Sequence, residues 1–99
     1  MTNTDRSIEL LTQLVGFETV SADSNLPLLD WAEQWLTGLG ARCRRTWDDE
    51  HQKANLLASF GPEGPDGIVL SGHTDVVPVA GQDWSTDPFK LTESDGRLY

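Results

Sequence analysis

Ile68-Val69-Leu70-Ser71-Gly72-His73-Thr74-Asp75-Val76-Val77-Pro78 is the stretch that organises this 99-residue chain. It opens on three apolar residues, two of them β-branched. A small-residue pair then leads to a histidine and an aspartate two positions apart. Side chains alternate across a strand, so residues i and i+2 share a face. The pattern predicts a buried strand of an α/β sheet from Ile68, apolar on both faces. His73 and Asp75 then project together beyond its carboxyl end, where open α/β sheets hold their ligands. A histidine that binds a metal through one ring nitrogen usually donates its other N–H to a carboxylate or carbonyl. Asp75 is spaced to accept that bond, or to act on a metal-bound water. A bare His-x-Asp recurs by chance, however, and by itself reads better as an ordinary hydrogen-bonded pair at a strand end.

Before this stretch, Asn55–Phe60 reads as a strand, and Gly61-Pro62-Glu63-Gly64-Pro65-Asp66-Gly67 as a turn cluster without a phosphate-loop pattern. The two flanking strands are expected to form an antiparallel hairpin. Ala41–Trp47 alternates small or apolar residues with arginine, as a half-exposed strand near a sheet edge does. Asp48-Asp49-Glu50-His51 reads as a solvated turn, and His51 is not assigned as a ligand. Residues 5–15 predict a first helix, with Thr4 as its cap, Asp5 at its positive end and Gly16 as its stop. Residues 17–25 are polar and irregular. A second helix is expected over about 27–38, with Pro27 in its first turn. Leu28, Trp31, Ala32, Trp35, Leu36 and Leu39 form its apolar stripe, so the two tryptophans read as core. After Pro78 the chain is loop-like. Trp84, Pro88 and Phe89 form either a small apolar lid or an anchored surface loop. Asp95-Gly96 marks a final hairpin.

The totals narrow the function. A net charge of -9 argues against nucleic acid and anionic membrane partners. The five arginines and two lysines form no long basic run. Met1–Asp5 lacks the basic head and apolar core of a signal peptide, and no apolar run approaches a membrane span, so a cytoplasmic protein is expected. The single cysteine, Cys43, excludes an intramolecular disulfide and reads as a packed or surface thiol. A closed structural zinc site, usually rich in cysteine, is disfavoured for the same reason.

Ser71–Pro78 resembles the first metal-site motif of the co-catalytic di-zinc aminoacylase and peptidase family. That family includes acetylornithine deacetylases, succinyl-diaminopimelate desuccinylases and carboxypeptidase G-type enzymes. The similarity continues through Gly81-Gln82-Asp83-Trp84-Ser85-Thr86-Asp87-Pro88-Phe89 and Leu91–Tyr99. This downstream run is most similar to the acetylornithine deacetylase branch. The resemblance implies that His73 is a zinc ligand and Asp75 the acidic residue that orients it. It implies two zinc ions, with cobalt as a substitute, and a homodimer that hydrolyses a small N-acyl amino acid. The reaction implied is removal of acetate from N-acetylornithine in arginine biosynthesis. A desuccinylase or dipeptidase of the same family, or a non-catalytic interaction fragment, are the competing readings. By the family pattern the bridging aspartate, the general base and the remaining ligands lie beyond Tyr99. Residues 1–99 are therefore expected to be the N-terminal portion of a three-layer catalytic domain, inactive alone. The fold class expected is α/β, with two helices on a mixed sheet of about four to five strands. An uncovered apolar face is expected to make the isolated chain self-associate.

Overall fold

A computed structural model describes residues 1–99. The first helix, α1, covers Asn3–Val15. Its cap is Thr2, not Thr4, because Asp5 lies three residues after Thr2 and closes a reciprocal capping box. The Asp5 amide donates to the Thr2 hydroxyl at 3.1 Å, and the Thr2 amide donates to the Asp5 carboxylate at 2.9 Å. The second helix, α2, spans Leu26–Gly38 and has Pro27 in its first turn. It ends in a Schellman motif. Gly40 takes φ +98°, its amide donates to the Thr37 carbonyl, and the Ala41 amide donates to the Leu36 carbonyl.

That turn feeds β1 (Arg42–Trp47), which pairs antiparallel with β2 (Ala54–Ser59) from Arg42↔Ser59 to Trp47↔Ala54. Between them, the Asp48 carboxylate accepts the amides of Gln52 and Lys53, and His51 takes φ 55° in the turn, its ring stacked on Trp47. α2 lies against this ladder. Leu28, Leu29 and Ala54 form the core, with Phe17, Leu26, Ala32 and Leu56 around it. Arg45 points inward from β1 and reaches Asp30 at 2.8 Å and Glu33 at 2.7 Å on α2. Asn25 does not cap α2 with its side chain. Its amide group instead bonds both backbone groups of Ala54, tying the helix entrance to β2. Cys43 is half-buried and faces Thr37 of α2.

The closing hairpin forms as expected. β3 (Glu93–Ser94) pairs with β4 (Arg97–Leu98), and Asp95 and Gly96 both take positive φ, as a type I′ turn requires. Helices and strands give the α/β character expected, but the strands form two separate two-stranded ladders, not one sheet of four to five. Ile68–Leu70 is the main departure. It forms no strand and no hairpin with β2, whose partner is β1, and its three side chains are 91%, 81% and 93% exposed. An apolar run suited to burial on both faces needs neighbours on both sides, and these residues meet none. α1 departs as well: it buries no residue fully and does not share the core. A ladder of two strands is about 10 Å wide, roughly one helix diameter, and α2 already covers it. Trp31 is half-buried against Phe17, whereas Trp35 is 40% exposed because the stripe outruns the ladder.

The surface records the same deficit. The accessible area is 7959 Å², against about 5,600 Å² for a folded monomer of this mass. Only five of 99 residues are buried, so the chain cannot rest on its core alone. No helix is long and apolar enough to cross a membrane.

Two outcomes follow. The Thr2 amide and hydroxyl hold the Asp5 carboxyl below the usual carboxylate range. Its capping contribution is therefore complete above the ordinary carboxylate pKa and lost as pH falls through the lowered native value. Far-UV circular dichroism should show an acid loss of helix below about pH 4, and Asp5→Asn should remove that step while lowering helicity at neutral pH. In sedimentation velocity, the exposed Ile68–Leu70 run should give concentration-dependent species heavier than 10.9 kDa. Val69→Lys should shift them towards monomer. A wild-type monomer that is independent of concentration would count against this surface being adhesive.

Candidate functional site

The stretch after Leu70 is held at one point. Val20 and Val76 form an isolated parallel bridge. The Val76 amide donates to the Thr19 carbonyl and the Ser21 amide donates to the Val76 carbonyl, both at 3.0 Å. Side chains reinforce the bridge. The Thr19 hydroxyl, on a buried residue, donates to the Thr74 carbonyl at 2.5 Å. The Lys53 ammonium donates to the Ser21 carbonyl. Residues 19–25 thus strap the 74–76 segment to β2, with Asn25 fastening the far end of the strap.

This clasp brings His73 and Asp75 together, as their spacing predicts, although they project from an extended segment rather than a paired strand. His73 Nδ1 lies 2.8 Å from Asp75 Oδ1 and 3.1 Å from the Asp75 carbonyl oxygen. An imidazole nitrogen facing two acceptors is satisfied only as the N–H form, which leaves Nε2 as the lone-pair nitrogen. Nε2 has no protein partner, and the His73 side chain is 83% exposed. The other carboxylate oxygen, Asp75 Oδ2, accepts the Ser21 hydroxyl at 2.9 Å. Ser21 first, then His73, holds the Asp75 carboxyl below its ordinary range, so it is an anion at neutral pH.

The pair stands between two cavities. One, of about 460 Å³, has mainly polar residues in its lining, among them Ser21, Asp48, Lys53 and Asn55 as well as His73 and Asp75. The other, of about 360 Å³, is apolar and is lined by Phe17, Val76, Val77, Trp84, Pro88 and Phe89, with His73 on its wall. The three aromatic-loop residues thus line a cavity that reaches His73, while His51 lines neither. No group of three or more His, Cys, Asp or Glu side chains converges to hold a metal ion. The donor set fits one imidazole ligand with an orienting carboxylate. It does not make a cage.

Proteins of known activity share this segment. The chain is 38% identical over 99 residues to the acetylornithine deacetylase of Pasteurella multocida, 39% over 99 residues to that of Edwardsiella ictaluri and 40% over 103 residues to that of Yersinia pestis. Each alignment takes in 93% of the chain. Over this segment the chain is similar to acetylornithine deacetylases. It spans about a quarter of the length of these curated relatives, 26% in each case. No family model matches it.

The similarity to the acetylornithine deacetylases agrees with the resemblance carried by Ser71–Pro78 and the runs that follow. The residues that residue-by-residue reading passed over are Thr19 and Ser21. Their signal is faint: Thr19-Val20-Ser21 alternates polar, apolar, polar over three residues, too short a run to be told from a loop.

Thr19→Val removes the hydroxyl and leaves the Thr74 carbonyl without its donor, at a local cost of about 1 kcal/mol. Amide exchange at Ser21 and Val76 should then accelerate about fivefold while α2 and β2 are unaffected. Equal acceleration throughout the chain would mean that Thr19 supports the whole fold and not the clasp.

Proposed function

We propose that residues 1–99 are the N-terminal portion of the catalytic domain of a metal-dependent amide hydrolase that removes acetate from N-acetylornithine, a step of arginine biosynthesis. The observation that carries the reading is the His73–Asp75 pair. An ionised carboxylate binds Nδ1, Nε2 is free, and His73 lines both adjoining cavities. The similarity to acetylornithine deacetylases supports the same conclusion from an independent direction.

In this reading His73 contributes one nitrogen to a zinc or cobalt ion, and Asp75 fixes the tautomer that leaves that nitrogen free. The metal, when bound, polarises the acyl carbonyl and the attacking water. Asp75 keeps Nδ1 protonated and adds negative charge behind the imidazole, making Nε2 a better donor. The residues around the pair supply a wall on which an aliphatic chain can rest and a polar cleft for charged ends. One imidazole cannot hold a metal in catalytic geometry, since a catalytic zinc takes about three protein ligands. The other ligands and the general base belong to polypeptide beyond these residues. The full-length protein is read as a cytoplasmic homodimer.

Acetate release from N-acetylornithine, measured on a full-length protein beginning with these residues, tests the reading. Asp75→Asn should lower kcat/KM about 10- to 100-fold, and His73→Ala should abolish turnover. The 99-residue chain alone should show no turnover with added zinc or cobalt above a His73→Ala control. Faster release of succinate from succinyl-diaminopimelate would move the assignment to a sister activity of the same chemistry. Full activity in His73→Ala would overturn the reading.

A further inference from the structure

We propose that Ser21 is a positioning residue of the His73–Asp75 pair: its hydroxyl fixes the Asp75 carboxylate so that Asp75 holds the imidazole in the Nδ1–H tautomer. The importance of that tautomer rests on the functional reading above, whereas the geometry and its test do not. The Ser21 oxygen lies 2.9 Å from Asp75 Oδ2 and 3.2 Å from the Val76 carbonyl oxygen. A hydroxyl has one proton to give. The Val76 carbonyl is already bonded by the Ser21 amide, and the carboxylate is both nearer and charged. The proton therefore goes to Asp75.

The carboxylate is then held at both ends, Oδ2 by Ser21 and Oδ1 by His73 Nδ1. Its side chain is otherwise 59% exposed, so without Ser21 only the imidazole would restrain its rotation. Ser21 is itself immobilised from three directions. Its amide joins the bridge to Val76, its carbonyl takes the Lys53 ammonium, and two residues earlier Thr19 anchors the Thr74 carbonyl. A serine fixed in this way transmits the position of β2 and the strap to a side-chain pair that has no strand of its own. The Asp75 carbonyl, 3.1 Å from Nδ1, is a fallback acceptor, so loss of Ser21 should weaken the preference without abolishing it.

The test is the tautomer ratio of His73, read from long-range proton–nitrogen spectra of the metal-free chain labelled with nitrogen-15 histidine. The pH is set where the imidazole is neutral, and His51→Gln assigns the two histidines. Wild-type His73 should be predominantly Nδ1–H. Ser21→Ala should lower the Nδ1–H to Nε2–H ratio about fivefold, and Ser21→Thr, which keeps the hydroxyl, should restore it. Retention of the Ser21 and Val76 amide signals identifies a variant whose clasp is intact. If Ser21→Ala loses them, Ser21→Cys serves instead, since it keeps the size and weakens the donor, and an intermediate ratio is expected. An unchanged ratio in the intact Ala or Cys variant, failure of Thr to restore it, or a wild-type His73 without the Nδ1–H form would each overturn the proposal. Failure of acetate release in the full-length protein would leave these spectra unaffected, so the two readings fail separately.

Discussion

The parallel bridge between Val20 and Val76 is the contact on which the candidate site depends. It is small, two backbone hydrogen bonds and the side chains that flank them. Without it, residues 71–78 would be an extended segment with nothing to define its direction. With it, the path from β2 to the imidazole is continuous: Lys53 and Asn25 hold the strap, the strap holds 74–76, and Ser21 and Asp75 hold the ring. Hydrogen bonds in partly solvated positions are individually weak. Here several act on one short stretch, so each restrains a group that the others have already brought close.

The rest of the chain divides into what closes locally and what does not. α2 and the β1–β2 ladder cover each other because one helix spans a two-stranded ladder, and Arg45 joins the two through paired carboxylates. The Asp95-Gly96 hairpin closes through its turn and the reciprocal Thr92–Tyr99 backbone pair. α1 and Ile68–Leu70 have apolar surfaces with nothing of this kind beside them. A radius of gyration of 15.8 Å, where about 13 Å suits a compact chain of this length, is the consequence. The relatives are roughly four times as long.

Local chemistry was legible wherever the determinant was local. Pro27 and Asp95-Gly96 act through their own backbone preferences, and each does in the structure what its residue type favours. The cap of α1 is Thr2 and not the expected Thr4, and as residue types the two are equally good caps. What decides between them is the acid three residues on, and only Thr2 has one there. The apolar strand at Ile68 failed for the opposite reason. Its composition is that of a central strand, but strand formation depends on partners, and hydrophobicity alone cannot supply backbone hydrogen bonds.

The sequence by itself determined the local devices: the two helices to within a few residues, the closing Asp95-Gly96 hairpin, and the i, i+2 spacing that lets His73 meet Asp75. It also carried the resemblance of Ser71–Pro78 and the following runs to the di-zinc hydrolases, because a motif is a property of order along the chain. Tertiary structure alone decided which segments met. Thr19 and Ser21 stand more than fifty residues from Thr74 and Asp75. No periodicity spans that gap, and the polar, irregular look of residues 17–25 gave no sign of a clasp. A hydrogen bond between distant residues forms only after the intervening chain has folded back, so its existence is a fact of three-dimensional closure and not of composition.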